Sequence, residues 1–526
     1  MTRRGVLLAG MALAVLLEAV DQTIVSTALP KMAGSLHGFA SYQWVVSAYL
    51  LAAVAVVTAM GRLSDRIGRR AVMIPGVVVF LAGSVLASLA PSMGVLIAGR
   101  AVQGLGAGIG LALVNAVLAD LFPPAQRAKW QGLFVAAYGV ASVAGPGLGG
   151  WLSAHGPVVS GWVSGADRWR WIFLVNLPLG ALALIAITVG FAAAYPSPAT
   201  GGSKRVDVPG SLLAAVAAVA FVAGCTAVGQ PGPWWHVAAP LAAAAVAAGG
   251  FAWWELRAAD PIVDLGLLAD RTFRVCCELS LLLGVALLSM VLYLPLLIQV
   301  VIGLSPGASG LALTPLSVAF VVGSAIGGAT TAKLGVYRPQ ARTGALLAIA
   351  GVAILLLAGT RPPLAMIIAG GAVTNVGIGM LLPIVMVVVQ TAVPASDIGS
   401  ATAVLTQLRQ LGQVVGTAVS TGIVITVANQ AVHGSVAAGL DRLLAGRPAG
   451  NVQAAARASG IADAVARGVH AGLIATLVAA VALALVTIRL PAGAPLRPEE
   501  PRPAEEQATE GIPVMLAPVE DEGQTV

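Results

Sequence analysis

The chain has 526 residues, of which 58% are hydrophobic and 10% charged, and its formal net charge is +7. A water-soluble domain cannot cover so much apolar surface with so few charged residues, so this composition excludes a soluble enzyme. The positive charge does not indicate nucleic-acid binding, because the basic residues lie in short connections between apolar runs. Runs long enough to cross a bilayer recur along the chain, and the predicted fold class is an all-α polytopic membrane protein.

The apolar runs predict fourteen membrane spans. Their ranges are 6–30, 42–60, 71–90, 93–119, 129–152, 170–194, 207–229, 236–255, 273–301, 307–332, 341–359, 363–391, 398–428 and 464–489. An even number of spans places both termini on one side of the membrane. With the N-terminus inside, 19 Lys and Arg residues fall in inner connections, 8 fall in outer ones, and Arg100 and Arg409 lie within spans. This bias predicts a multi-pass protein of the plasma (inner) membrane with both termini in the cytoplasm.

The spans divide into two halves of six, with two further spans between them. The predicted domains are an N-terminal half at 1–194, a cytoplasmic Pro/Gly/Ser-rich linker at 195–206, two inserted helices with a cytoplasmic loop at 207–272, a C-terminal half at 273–490 with an external loop at 430–463, and a Pro- and Glu-rich disordered cytoplasmic tail at 491–526. A weak internal repeat supports two related halves, because an offset of 267 residues carries Gly145 and Gly149 onto Gly412 and Gly416.

The first span contains two acids, Glu18 and Asp21, which lie about 60° apart around the helix and so share a face. An acid inside a membrane helix is costly and indicates a partner or a function. A rise of 1.5 Å per residue places Asp21 about 13 Å and Arg100 about 10 Å below the outer surface, so these two side chains lie at matching depth. Pairing with Arg100 favours the ionised form of Asp21 and burial favours the neutral form, which makes this pair a candidate proton switch. Whether Asp21 or Glu18 binds the proton stays open.

Two glycine-containing stretches have a defined order. The connection between spans 2 and 3 reads Gly-Arg-Leu-Ser-Asp-Arg-Ile-Gly-Arg-Arg from Gly61 to Arg70. By composition it is an ordinary positively charged inner loop, whereas its glycines also permit a tight reversal and its Asp65 can pair with a nearby Arg or a helix N-terminus. Span 5 contains Gly-Pro-Gly-Leu-Gly-Gly from Gly145 to Gly150, in which proline bends the helix and the glycines open a groove for a neighbouring helix.

The order of these residues resembles the major facilitator superfamily (MFS), and in particular its fourteen-helix drug:proton antiporters, the EmrB/QacA-like group. The resemblance extends to the pattern from Asp21 to Pro30, to Arg-Ala-Val-Gln-Gly at Arg100, and to Trp-Arg-Trp-Ile-Phe-Leu-Val-Asn-Leu-Pro from Trp169 to Pro178. It implies the MFS fold, with two six-helix halves plus two inserted central helices. It also implies that the protein is a transporter and not an enzyme. Such a transporter exports hydrophobic drugs or antibiotics in exchange for protons, and it uses the proton gradient without a cofactor.

The resemblance also implies residue roles. Proton coupling falls to Asp21 and its partner Arg100, and Glu18 adds a second acid that departs from the family pattern. The gating loop comprises Gly61, Asp65, Arg66, Gly68 and Arg69. The motif typical of antiporters comprises Gly139, Gly145, Pro146, Gly149 and Gly150. Because the second half has Ala332 where Asp65 stands and Gln413 where Pro146 stands, we expect coupling to reside in the first half.

Polar residues inside spans are candidates for a substrate pocket, although a hydrogen bond between helices is the ordinary role of each one. The candidates are Asn115, Tyr138, Gln299, Asn375, Gln407 and Arg409. The expected partners are a lipophilic small-molecule substrate, protons and the lipid bilayer, with no nucleic acid and a monomeric chain. Cys225, Cys276 and Cys277 lie in or beside apolar runs, and we interpret them as buried hydrophobic side chains rather than metal ligands.

Two alternative functions stay open. A proton-coupled importer of a small metabolite could use the same scaffold, although the order of residues in span 5 and the arrangement of six, two and six spans favour an exporter. A membrane-embedded lipid transferase would need a cluster of His, Asp or Glu at one membrane face. The five histidines are instead scattered over separate connections and span ends.

Overall fold

The computed structural model describes residues 3–122, 124–161, 163–194, 207–228, 232–258, 269–393, 398–432, 435–444, 456 and 459–491. The predicted linker at 195–206 and most of the predicted tail at 491–526 lie outside the described residues. The helices are α1 (Arg3–Ser35), α2 (Trp44–Ile67), α3 (Arg69–Ser88), α4 (Met93–Leu121), α5 (Pro124–His155), α6 (Trp171–Leu174), α7 (Asn176–Ala194), α8 (Val208–Ala227), α9 (Trp235–Glu255), α10 (Arg271–Leu296), α11 (Pro306–Leu334), α12 (Arg338–Leu357), α13 (Leu364–Ala392), α14 (Ile398–Val432), α15 (Val436–Leu444) and α16 (Ile461–Ile488). The all-helical class is confirmed, since the described ranges contain one isolated bridge, Val159 to Val163, and no longer strand.

Twelve helical segments among the described residues are long and apolar enough to cross a membrane. Two further helices occupy the positions of the fifth and seventh predicted spans. These are α5, with 32 residues, and α8, whose apolar part at Pro209–Cys225 is shorter. The total of fourteen crossings therefore stays a prediction.

The two halves repeat the same helix pairs. In the first half α1 packs on α5, α2 on α4 and α3 on α4; in the second half α10 packs on α14, α11 on α13 and α12 on α13. Glycines allow backbone contact at these pairs, because a Cβ on Gly104 would overlap the carbonyl oxygen of Tyr49 and a Cβ on Gly412 would overlap that of Leu281.

Two predicted spans are interrupted rather than continuous. The sixth is divided at Val175 into the short α6 and the longer α7, which begins at Asn176. The ninth continues beyond α10 as a π-helical segment, Leu297–Ile302, that ends at Gly303 with a φ of 87°. Single π-helical turns within α-helices are frequent at functional sites, and this one lies where the two halves meet.

The inserted helix α9 is exposed along most of its length. Trp234 and Trp235 at its start are 80% and 53% exposed, and Trp253 near its end is 55% exposed. Eighteen residues of helix separate the two ends, or about 27 Å at 1.5 Å per residue, which is close to the thickness of a bilayer core. Tryptophans at both ends of an apolar helix are typical of the two membrane interfaces, so α9 is expected to face lipid.

The bundle has a near end, where α1 begins and α16 ends, and a far end opposite to it. At the far end one hydrophobic cluster contains residues from both halves, including Met32, Phe173, Ile298 and Ile461. At the near end the described side chains form two separate clusters, one with residues of the first half only and one with residues of the second half only. A smaller fourth cluster also contains residues of both halves, including Tyr49 and Val414. Packing among the described residues therefore joins the two halves at the far end and in this smaller cluster, but not at the near end.

Candidate functional site

Asp21 and Arg100 form a fully buried ion pair between α1 and α4. Arg100 Nη1 donates to Asp21 Oδ2, and the two side chains are 2% and 0% exposed, respectively. The other carboxylate oxygen, Asp21 Oδ1, accepts hydrogen bonds from Gln103 Nε2 at 3.1 Å and from Asn176 Nδ2 at 2.7 Å. Both oxygens of Asp21 are thus occupied by donors, which is the condition for burying a carboxylate.

The arginine of this pair is held as firmly as the acid. Arg100 Nε donates to the carbonyl oxygen of Val45 at 3.1 Å, and Nη1 also donates to Gln103 Oε1 at 2.9 Å. The guanidinium lies over the Tyr49 ring, 4.3 Å from its centroid, where the face of the ring attracts a cation. Residues of α1, α2, α4 and α7 therefore position one charge pair.

Sequence reasoning missed three members of this network, Ser84, Gln103 and Asn176. Ser84 Oγ accepts from Gln103 Nε2 at 2.8 Å and from Asn176 Nδ2 at 3.3 Å, and it donates to the carbonyl oxygen of Phe80 at 3.1 Å. The available signal was polarity within apolar spans. Gln103 lies three residues after Arg100, and Asn176 starts α7 directly after the break at Val175.

Glu18 lies one turn before Asp21 but has a different environment. Its residue is 8% exposed, and its Oε2 atom is buried without a hydrogen-bond partner. No ion pair to Glu18 is formed by the described residues. The carboxyl group lies against the Cα of Gly110 on α4, where a Cβ would overlap Glu18 Oε1. The two acids of α1 thus share a face, but only Asp21 has a cation beside it.

The glycines of α5 form a junction of three helices. Gly149 lies against α1, where a Cβ would be 2.6 Å from Thr27 Oγ1, and Thr27 Oγ1 donates to the carbonyl oxygen of Pro146 at 3.3 Å. Gly150 lies against α11 of the other half, where a Cβ would overlap the carbonyl oxygen of Pro306.

The remaining glycines of this predicted motif have distinct neighbours. Gly145 packs on Thr23 of α1, and a Cβ on Gly139 would meet Val321 of α11 at an ordinary 3.6 Å. One face of α5 therefore serves the first half and another serves the contact between the halves.

At the far end, three hydrogen bonds between described residues join the two halves. Gln299 Nε2, in the π-helical segment, donates to the carbonyl oxygen of Thr27 at 2.9 Å. Tyr42 Oη donates to the carbonyl oxygen of Leu292 at 3.2 Å. The third bond belongs to α15.

The predicted external loop at 430–463 contains α15, which packs on the first half. Its Asp441 Oδ1 accepts from the backbone N–H of Phe39 at 3.2 Å, and its apolar side chains Val436, Leu440 and Leu443 are buried in the shared far-end cluster. Burial raises the pKa of Asp441 above its ordinary value, and the Phe39 N–H and the charge of His37 partly offset this. A helix of the second half thus covers part of the first.

The predicted gating loop is only partly described. Gly68, between α2 and α3, has a φ of 97°, a backbone conformation that favours glycine. Arg69 Nε donates to Asp120 Oδ2 of α4 at 3.0 Å and its Nη1 donates to Ser64 Oγ at 2.6 Å. Gly61 accepts from Ser64 Oγ through its carbonyl oxygen at 2.6 Å. The side chains of Asp65 and Arg66 lie outside the described part.

The predicted pocket residues are not gathered into one group. The side chain of Asn115 is not described, and Gln299 joins the halves at the far end. Asn375 Nδ2 donates to the carbonyl oxygen of Gly371 in its own helix at 2.8 Å, which is an ordinary structural role. Tyr138 is half-buried against the shared far-end cluster, and Gln407 is also half-buried.

Arg409 differs from the other pocket candidates. It is half-buried on α14, and its Nε is buried without a hydrogen-bond partner. Of the described acids in its own half, Glu278 lies near the start of α10, Asp463 near the start of the last helix, α16, and Asp441 on the short α15.

Comparison with known proteins identifies the family to which the chain belongs. Residues 11–417 match the Major Facilitator Superfamily, and the chain belongs to that family of membrane transporters. It is 31% identical over 417 residues to the multidrug transporter protein MdtP of Bacillus subtilis (strain 168), covering 79% of this chain and 74% of that protein.

Two solved structures share the fold. A bacterial homologue of the human lysosomal transporter Spinster, in an inward-facing and unoccupied conformation, has a TM-score of 0.65 at 18% identity, covering 93% of this chain and 98% of that one. A D-xylose-proton symporter has a TM-score of 0.59 at 16% identity, covering 86% of this chain and 96% of that one. At these identities the likeness concerns the fold alone.

Proposed function

We propose that this transporter exports lipophilic compounds across the plasma membrane in exchange for protons, with fourteen membrane-crossing helices and the near end in the cytoplasm. The observation that carries the proposal is the buried charge cluster of α1 and α4, in which Arg100 pairs with Asp21 and a second acid, Glu18, lies one turn away. Ionisable groups inside a membrane bundle are costly and mark ion or proton pathways. The similarity to a multidrug transporter supports the substrate class, because it concerns most of both chains.

The direction of transport is supported by the α5 glycines. Gly149 and Gly150 let α5 approach α1 on one side and α11 on the other, so the far end closes tightly between the halves. A tightly closed far end prevents protons from leaking through the bundle while the near end exchanges substrate. Opening the far end separates α5 from α11 and breaks the bonds of Gln299, Tyr42 and Asp441, and the two halves then rock about the central charge cluster.

Proton and substrate transport are coupled because the proton and the substrate compete for the negative charge of the cluster. A proton entering from outside neutralises one acid and removes a negative charge from the pocket, which weakens the binding of a cationic or polarised substrate. Loss of that proton to the cytoplasm restores the charge and the affinity. The same exchange serves either resistance to a drug or release of a product made by the cell itself.

The test is ethidium transport by the full chain in a bacterium that lacks its own pumps. Expected results are energy-dependent efflux that a protonophore stops, and loss of efflux in Asp21→Asn and Glu18→Gln at equal membrane abundance. Asp463→Asn is the matched control, because Asp463 is 46% exposed and pairs with Arg361 at the far end. Efflux that survives in both acid variants would refute the assignment of proton coupling to Asp21 and Glu18. Proton-driven accumulation of ethidium would instead favour the importer.

A further inference from the structure

We propose that Glu18, rather than Asp21, is the group that binds and releases the transported proton, and that Asp21 stays ionised as the fixed counter-ion of Arg100. This inference rests on the proposed proton exchange and assigns its acid. The two carboxyl groups lie one turn apart on α1, so sequence position alone does not distinguish them. The surroundings of the two carboxyl groups do distinguish them.

Asp21 is surrounded by donors. Arg100 occupies one oxygen, and Gln103 and Asn176 occupy the other. A proton on Asp21 would neutralise the carboxylate and leave the Arg100 guanidinium, itself 2% exposed, buried without a counter-ion. Such an unpaired buried cation is strongly unfavourable. The network therefore holds Asp21 as a carboxylate through every step in which Arg100 stays in place.

Glu18 has the opposite surroundings. Within the described part of the chain, the groups shown to face it are the Asp21 carboxylate from α1, the Tyr49 side chain from α2 and the backbone of Gly110 from α4. None of these is a cation, and Arg100 is already engaged by Asp21. An unpaired carboxylate beside a second carboxylate is costly to bury, whereas the neutral acid is not. Glu18 thus fits the closed bundle when it carries a proton.

Access also separates the two acids. The Asp21 side chain is 0% exposed, so no proton reaches it without opening the network. The Glu18 residue keeps 8% exposure, and glycine at position 110 adds no side chain over its carboxyl group. The proton passes between the Glu18 carboxyl group and water when the bundle opens, and the carboxylate left behind attracts the positive end of a lipophilic cation. Proton and cation therefore exclude each other at one site.

The test is infrared titration of the purified full chain in lipid nanodiscs, which reports the carbonyl stretch of protonated buried carboxyl groups and needs no substrate. The wild type is expected to show such a band that disappears as the pH rises. All variants carry Asp441→Asn, because burial also raises the pKa of Asp441 and its carboxyl group would add a band of its own. In that background Glu18→Gln should lack the band, and Glu18→Asp should restore a shifted one. Asp21→Asn/Arg100→Gln, which removes both charges of the ion pair together, should retain it.

Persistence of the band in Glu18→Gln would overturn the assignment, and so would its loss in a folded Asp21→Asn/Arg100→Gln protein. If that double variant does not fold, the comparison of Glu18→Gln with Glu18→Asp decides alone. A parallel measurement counts protons released when ethidium is added: about one per site for the wild type and none for Glu18→Gln. A wild type that neither exports ethidium nor releases protons would refute the proposed function, while the infrared result still identifies the titrating acid.

Discussion

Substituting Gly150 with alanine should shift the transporter away from the state in which the far end is closed. The added Cβ would overlap the carbonyl oxygen of Pro306 and lie 3.0 Å from the Cα of Gly307. Both obstacles are backbone atoms, so no side-chain rotation relieves them and α11 must move. Overpacking of this kind costs about 1–3 kcal/mol. Because the clash crosses between the halves, that cost falls only on the closed state, and the equilibrium should move about 5- to 150-fold toward far-end opening.

Two neighbouring glycines provide matched controls. A Cβ on Gly147 would meet Thr314 Oγ1 of α11 at 3.7 Å and Leu311 Cδ2 at 3.8 Å, which are ordinary contacts. Gly147→Ala should therefore leave the equilibrium unchanged. A Cβ on Gly149 would overlap the carbonyl oxygen of Ile24, which belongs to the same half. Gly149→Ala should lower the thermal stability in both states without favouring either of them.

The measurement is the distance distribution between spin labels at Ala40 and Thr360, two exposed far-end positions in different halves, by electron paramagnetic resonance in nanodiscs. Gly150→Ala should populate a longer distance at the expense of the wild-type one. An unchanged distribution for Gly150→Ala, or an equal shift for Gly147→Ala, would refute the argument that α5 and α11 close the far end by backbone contact.

Two further predictions concern the ion pair and α15. Asp21→Asn should lower the free energy of unfolding by about 3–5 kcal/mol, because it leaves Arg100 buried and unpaired. Asp21→Asn/Arg100→Gln should lower it less, since no unpaired charge remains. Thermal unfolding in detergent measures both variants, and equal losses of stability would contradict the reasoning. Burial raises the pKa of Asp441, so docking of α15 is strongest when Asp441 is protonated and weakens as the pH rises through the raised pKa. The test compares the rate at which a thiol reagent labels Leu440→Cys with the rate for Leu440→Cys/Asp441→Asn. The ratio of the first rate to the second should rise with pH; a ratio that stays constant would count against control of α15 docking by Asp441.

Much of the architecture could be predicted from sequence because membrane helices have a regular rise. Hydrocarbon-length apolar runs predicted where the long helices lie, and each predicted span corresponds to a helix in the structure. The same regularity predicted the matching depth of Asp21 and Arg100, since 1.5 Å per residue converts position in a span into depth. The position of a residue along its own helix therefore follows from the sequence alone.

Which side chains meet at a given depth was decided by tertiary packing. Asn176 reaches Asp21 only because the helix is interrupted at Val175 and α7 packs on α1. Gln299 was predicted to face a pocket, yet it joins the halves, because the π-helical segment determines where it points. Glu18 and Asp21 lie one turn apart on one face of α1, and among the described residues Asp21 accepts from three donors whereas the Oε2 atom of Glu18 has no hydrogen-bond partner. The rotation of a helix about its axis and the identity of its neighbours depend on contacts between distant segments of the chain. The sequence of a single span therefore does not determine them.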